Sequence, residues 1–146
     1  MALLSVTRLH LRSMRYFPLF VVYTWRSGRQ VRRSTGFRRG VLGGDPQRGS
    51  WTVTLWDSEA DMRAYRNAGA HRDAMVRLLT WCDEASFVHW TTDASELPSM
   101  DEAYERLSTT GKVSKVHHPS KAHVAGRTVS DGRPRIAVHL KGRASR

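Results

Sequence analysis

WTVTLWDSEADMRAYRNAGAHRDAM, residues Trp51–Met75, reads as a strand that passes through a helix cap into a helix carrying a histidine on its inner face. Trp51, Val53 and Leu55 alternate with Thr52, Thr54 and Trp56, the period of two of a strand. Asp57-Ser58 ends it, and Ser58 with Asp61 three residues on is a variant of the capping box. Met62, Tyr65, His71, Met75 and Leu78 then recur at near-helical spacing. A polar imidazole among apolar positions therefore points at a sheet, where a small-molecule pocket would sit. The helix is expected over residues 59–83 with a break near Asn67-Ala68-Gly69, because glycine costs about 1 kcal/mol inside a helix.

Working outward, residues 5–13 alternate Thr7, Leu9 and Leu11 with Arg8, His10 and Arg12, a strand with one apolar face. Its polar side is expected to face solvent or a partner sheet. Residues 17–33 form a helix opened by Pro18, with Phe17, Phe20, Val21, Thr24 and Val31 on one stripe and Gly36 placed to end it. A strand over 37–42, a glycine-rich turn over 43–49, a strand over 86–91, a short amphipathic helix over 100–107 and an edge strand over 112–118 complete the series. From Pro119 onward Gly, Ser, Pro and charge predominate, so residues 119–146 are expected to be a flexible basic tail on a domain spanning 1–118. Strand–helix–strand–strand–helix–strand is the ferredoxin-like α+β order, an antiparallel sheet with both helices on one face. The strand at Trp51–Trp56 is apolar on both faces, which predicts a partner sheet and hence a homodimer.

The chain has 146 residues and a net charge of +11. Residues 119–146 carry seven Lys and Arg against Asp131, a net of +6, so more than half the excess sits in the expected tail. Such a charge points toward nucleic acid, but its concentration in the expected tail makes nucleic acid an unfavoured partner here, and no apolar run approaches a membrane span. The opening MALLSVTRLHLRS reads as a strand, not a signal peptide. One cysteine, Cys82, excludes an internal disulfide and fits a reducing cytoplasm. Asp83 and Glu84 beside it discourage a nucleophilic thiol. His117, His118 and His123 lack a cysteine or carboxylate at ligand spacing, so no metal is expected there. Gly40, Gly43 and Gly44 do not join a strand to a helix and are no nucleotide fingerprint.

The element order, with the run LWDSEADMRAYRNAGAHRDAM, resembles the dimeric α/β-barrel superfamily of antibiotic-biosynthesis and haem-degrading monooxygenases. Trp56-Asp57-Ser58 matches the Trp-x-Ser that ends a strand in both, and His71 falls where the antibiotic-biosynthesis branch often carries histidine. The extension through Leu97-Pro98 to His118-Pro119-Ser120 is similar to a branch described as spheroidene-monooxygenase-like. The haem-degrading branch relies on an Asn, a Trp and a His; this chain has Thr7, Tyr65 and Met75 at those positions, and all three depart. The resemblance thus implies a dimeric barrel and cofactor-free oxygenation of an aromatic or polyketide-like small molecule. A haem held by His71 as axial ligand is the alternative, and a non-catalytic ligand-binding or nucleic-acid-associated protein is another.

The candidate catalytic residues are His71 and Tyr65. A neutral imidazole takes a phenolic or enolic proton because it titrates near neutral pH. Alternatively, His71 is bonded to a backbone carbonyl beside the break at Gly69. Tyr65 is a candidate hydrogen-bond donor, or a core ring. Trp56, Thr7, Trp25, His89 and Met75 are the candidate substrate-binding residues, with Trp56 as a pocket wall.

Overall fold

The computed structural model describes residues 1–142. One antiparallel sheet of six strands runs in the order β5-β4-β1-β3-β2-β6, with β1 Ala2–Leu11, β2 Phe37–Gly44, β3 Ser50–Trp56, β4 Cys82–Thr92, β5 Lys112–Val113 and β6 Arg135–Lys141. The helices are α1 Phe17–Arg32, α2 Glu59–Arg66, α3 Gly69–Trp81, α4 Met100–Thr110 and the single turn α5 Lys121–Val124. The central strands β1 and β3 pair antiparallel, with Leu3 opposite Trp56 and Thr7 opposite Thr52. This is the ferredoxin-like α+β arrangement expected, with α1 and the α2–α3 pair on one face. Among the described residues no helix is long and apolar enough to cross a membrane.

The two faces of β3 are covered differently. Trp51, Val53 and Leu55 join Leu4 and Val6 of β1, Val41 and Val88 in one core, closed by Met100, Ala103 and Leu107 of α4. Trp56 joins Leu3, Phe37 and Leu140 in a second core, closed by Val31 of α1 and Met62 of α2. The partner sheet expected over the first face is therefore not needed for its burial. A helix of the same chain, with its apolar positions at i, i+3 and i+7, does that work. Ser99 caps this helix, its Oγ accepting the Glu102 N–H at 3.1 Å.

The expected flexible tail is also corrected, since residues 119–142 build part of the domain; its last four residues, 143–146, lie outside the described residues. Strand β6 pairs antiparallel with β2, with Val138 opposite Leu42 and Leu140 opposite Gly40, and Leu140 is buried. Val129 packs on the α4 core. Thr128 is buried, with its Oγ1 donating to the Leu107 carbonyl at 2.7 Å and its own carbonyl accepting from Ser86 Oγ at 2.6 Å. Buried His123 bonds through Nε2 to the Ser114 carbonyl at 2.7 Å, a structural tie. Arg127 pairs with Asp131, and Arg133 with Glu105 and Asp101, so part of this segment's charge is neutralised locally. Several boundaries also differ from expectation: β1 runs Ala2–Leu11, β4 starts at Cys82, α4 ends at Thr110, β5 ends at Val113, and Gly43-Gly44 belong to β2.

Leu140→Ala is expected to lower stability by about 2–5 kcal/mol in urea unfolding, the usual cost of emptying a buried leucine site. A chain ending at His118 is expected to lose cooperative thermal unfolding followed by circular dichroism. An unchanged melting curve for that shortened chain would place residues 119–142 outside the fold.

Candidate active site

The turn out of β3 sets the geometry. Ser58 Oγ accepts the Asp61 N–H at 3.1 Å and starts α2 immediately after Trp56. That phase buries Met62 and turns Tyr65 inward. A column of rings results: Phe37 to Trp56 at 5.3 Å, Trp56 to Tyr65 at 5.3 Å, and Tyr65 to His71 at 4.7 Å between centroids. Trp56 is fully buried, and its Nε1 has no hydrogen-bond partner among the described residues.

The break between α2 and α3 comes where expected, and a side chain from α1 holds it. Ala68, the N-cap of α3, offers no capping side chain. Gln30 takes that role: its Oε1 accepts the His71 N–H at 2.9 Å, and its Nε2 donates to the Ala68 and Tyr65 carbonyls at 2.7 and 3.1 Å. Gly69 sits at φ 56°, the left-handed region, with the Gln30 amide 3.2 Å from where a Cβ would stand. Gln30 was not visible as a site residue in the sequence, because its partners lie 35 or more residues away.

His71 Nδ1 lies 3.2 Å from the Arg66 carbonyl, which only accepts, so this nitrogen carries the proton. The backbone bond expected in the structural alternative is thus present, and Nε2 keeps its lone pair in the neutral ring. Burial lowers the pKa of His71; its bond to the Arg66 carbonyl opposes this, and the Arg66 charge adds to the lowering. The ring is accordingly neutral at pH 7. Burial pushes the Tyr65 phenol above its ordinary range, and its O–H already donates to the Ser27 carbonyl at 3.2 Å. Tyr65 is therefore a protonated wall ring whose hydrogen is committed, not a free donor.

The other predicted residues divide. Thr7 and His89 lie on the same sheet face as Leu3 and Trp56, by alternation and register. Burial, and then the Arg66 charge, lower the pKa of His89, so one arginine biases both His71 and His89 toward neutrality. Met75 is 42% exposed one turn along α3. Trp25 is corrected: it is 61% exposed on α1, with the Arg29 guanidinium 5.0 Å from its ring centroid, and it does not join the column. The whole stripe expected to bury α1 contributes only Val31.

What α1 leaves uncovered is a row across the sheet. Phe87, Thr7, Thr52, Leu42 and Val138 stand opposite one another on five adjacent strands. The first four are half-buried and Val138 is 44% exposed. The neighbouring row on the other face, Val88, Val6, Val53 and Val41, is buried throughout. The α1 face is therefore an open apolar trough with two threonine hydroxyls.

Beyond the trough, Arg8 is buried, which corrects its expected place on a solvated face. Its Nε bonds to Asp45 Oδ2 at 2.8 Å and its Nη1 to Glu84 Oε1 at 2.9 Å. Asp45 also accepts from Trp51 Nε1 at 2.9 Å, Gly49 N–H at 2.8 Å and Gln47 N–H at 3.0 Å. Burial raises the Asp45 pKa, but the bonds from Trp51, Arg8 and Gly49 outweigh it and hold the carboxyl below 3.8. Cys82, buried beside Asp83, has its thiol pushed up to about 12 and is inert. Among the described residues His10, Asp83 and Glu84 are the one close trio of metal-type ligands. Glu84 is already paired with Arg8 and Asp83 with His10 at 2.6 Å, and a cation beside the trio disfavours a second one.

Two clefts open at the surface. One of about 600 Å³ lies between Pro46, Asp101 and Arg133. The second, about 590 Å³, lies between the end of β1, the start of α1 and the β2–β3 turn. His71, Tyr65 and Trp56 line neither.

Residues 21–116 match the family described as Domain of unknown function (DUF3291), and the chain belongs to that family. No curated protein matches it. Among solved structures, SnoaB, a cofactor-independent oxygenase from Streptomyces nogalater, is similar at 14% identity with a TM-score of 0.54, covering 64% of this chain and 95% of its own. A proposed antibiotic biosynthesis monooxygenase from Nitrosomonas europaea is similar at 13% identity and TM-score 0.55, covering 64% of this chain and 92% of that one. A protein of unknown function from Nitrosomonas europaea matches at 13% identity and TM-score 0.55, over 67% of this chain and 95% of that one. The fold is thus that of the antibiotic-biosynthesis-monooxygenase type.

Removing Asp45 leaves the buried Arg8 Nε and Trp51 Nε1 without their acceptor and Arg8 with Glu84 alone, so Asp45→Ala is expected to lose about 3–5 kcal/mol in urea unfolding. The Asp45 pKa is lower folded than unfolded, so its contribution is complete above pH 3.8 and is lost as pH falls through the folded value. Asp45→Ala is therefore expected to flatten the acid side of the stability–pH curve below about pH 4. An acid limb as steep as that of the unaltered protein would assign the interaction elsewhere.

Proposed function

We propose that this DUF3291-family protein is a small-molecule enzyme of monooxygenase type, acting on an aromatic or polyketide-like substrate laid along the trough between α1 and the sheet. The observation that supports it most is the contrast between the two sheet faces: α4 seals one, while α1 leaves Thr7, Thr52, Leu42 and Phe87 half-open on interior strands. Interior strands are ordinarily covered, and an uncovered apolar row with a few hydroxyls is the composition of a small-molecule site. The fold shared with a cofactor-independent oxygenase supports the same reading, although fold alone does not decide chemistry.

His71 Nε2 is the base. Its Nδ1–H is fixed by the Arg66 carbonyl, so the lone pair has one orientation, and burial keeps the ring unprotonated. Removing a proton from the acidified methylene of a phenolic ketone gives a carbanion able to pass an electron to dioxygen. In the net change one methylene and one dioxygen molecule become one carbonyl and one water. Both C–H bonds of the methylene break and its carbon loses four electrons, which dioxygen takes up. One oxygen atom ends in the new carbonyl, and the other leaves as water with the two hydrogens. Trp56 and Tyr65 wall the base off from water, and His89, also neutral, faces the same layer. Met75, one turn along α3, and Thr7, on the α1-side face of the sheet, are assigned as further substrate contacts.

Oxygen uptake with a panel of hydroxylated anthrone-type ketones tests this reading. The unaltered protein is expected to consume dioxygen, and His71→Ala to slow uptake about 10²–10⁴-fold, the range of a general base. Its melting temperature should stay near that of the unaltered protein. The His71 pKa lies below 6.5, so kcat/KM should rise with pH through a value under 6.5 and be flat above it. Uptake that is absent with every ketone, or unchanged in His71→Ala, would contradict the proposal.

A further inference from the structure

We propose that the cleft between the first turn of α1 and the β2–β3 turn binds the carboxylate of an apolar small molecule. Two arginines, Arg12 and Arg48, border it, together with the apolar side chains of Leu11, Met14 and Phe17. His10 and Asp45 also line the cleft, but the Asp45 carboxylate is engaged by Arg8, Trp51 and the turn N–H groups, Glu84 by Arg8 and Ser120, and Asp83 by His10. Arg12 bonds only to neutral acceptors, the Thr80 carbonyl and the Tyr16 hydroxyl, both at 2.6 Å. Neither Arg12 nor Arg48 has a carboxylate partner among the described residues. Neither positive charge at the cleft wall is thus directly paired with a carboxylate.

Two further features point to a ligand. Arg8 is 2% exposed, yet its Nη2 has no partner among the described residues. That nitrogen lies against Gly49, a wall residue of the cleft, 2.8 Å from where a Cβ would stand. Arg48 sits at φ 66°, where glycine would be unstrained and an arginine is not. The Asp45 side chain holds this turn through Gln47 and Gly49, aiming a charged residue where the backbone alone prefers a small one. Planar guanidinium groups pair two-pronged with carboxylates, and the apolar wall beside them fits a ring or chain. Ser50 and Gly44 of the cleft lie one row along the sheet from Thr52 and Leu42, so the apolar body can continue into the open trough. This site stands on its own residues and does not depend on His71.

The test is calorimetric titration of the full chain with 2-naphthoate and with uncharged 2-naphthol, alongside amide NMR shifts. Naphthoate is expected to bind at least ~10-fold more tightly than naphthol, with the largest shifts at residues 10–17 and 44–50. Arg48→Gly, which relieves the strained backbone and so keeps the fold, is expected to weaken naphthoate about 10-fold and leave naphthol unchanged. His71→Ala should leave naphthoate affinity unaltered, which separates this site from the oxygenase reading. Equal affinity for the two probes, an unchanged Kd in Arg48→Gly, shifts located elsewhere, or binding of neither probe would overturn the proposal.

Discussion

Strand β3 carries large apolar side chains on both faces, and the domain is organised by the need to cover each of them. Trp51, Val53 and Leu55 are sealed by α4, while Trp56 is sealed by Phe37, Met62 and Tyr65. Each such side chain contributes roughly 1.5–3 kcal/mol when fully removed from water. The two covers are not alike. Helix α4 lies along the sheet and closes an entire row of valines. Helix α1 is instead held by Tyr23 on Trp81, by its Ser27 carbonyl on Tyr65, and by Gln30 and Val31 near its C-terminal end. It leaves the neighbouring sheet row only half-buried.

That asymmetry is what gives the molecule a functional side. Packing one face solid makes the sheet stiff, and a stiff sheet can present an open row without collapsing onto it. At the Trp56 end of β3 the ring column from Phe37 to His71 supplies a neutral, oriented imidazole. At the Ser50 end the buried Arg8–Asp45 pair pins a turn that displays positive charge. Ser50 to Trp56 is about 20 Å of strand at 3.3 Å per residue, so the two ends suit an elongated guest, not a compact one.

The strand–cap–helix unit was legible because its signals are local: alternation in Trp51–Trp56, Ser58 bonding three residues ahead, and glycine at the break. The inward position of Tyr65 and His71 followed from that phase. What was not legible depended on long separations. Ser58 finds its partner three residues on, but Gln30 reaches 38 residues to Ala68, and Arg8 reaches 37 to Asp45. Nothing in the local pattern of Gln30 or Arg8 marks either. The segment after Pro119 is a different kind of miss. Ile136, Val138 and Leu140 alternate with Arg135, Ala137, His139 and Lys141, a strand signal obscured by the surrounding charge. The apolar face of β3 that suggested a partner sheet is covered by α4 of the same chain, and periodicity cannot distinguish the two kinds of cover.

The tautomer and charge of one ring carry the chemical account, and long-range proton–nitrogen NMR of the His71 imidazole at pH 7 measures both directly. A protonated Nδ1 and an unprotonated Nε2, persisting well below pH 6.5, is the predicted spectrum. An imidazolium at pH 7, or a proton on Nε2, would leave the open trough without its base.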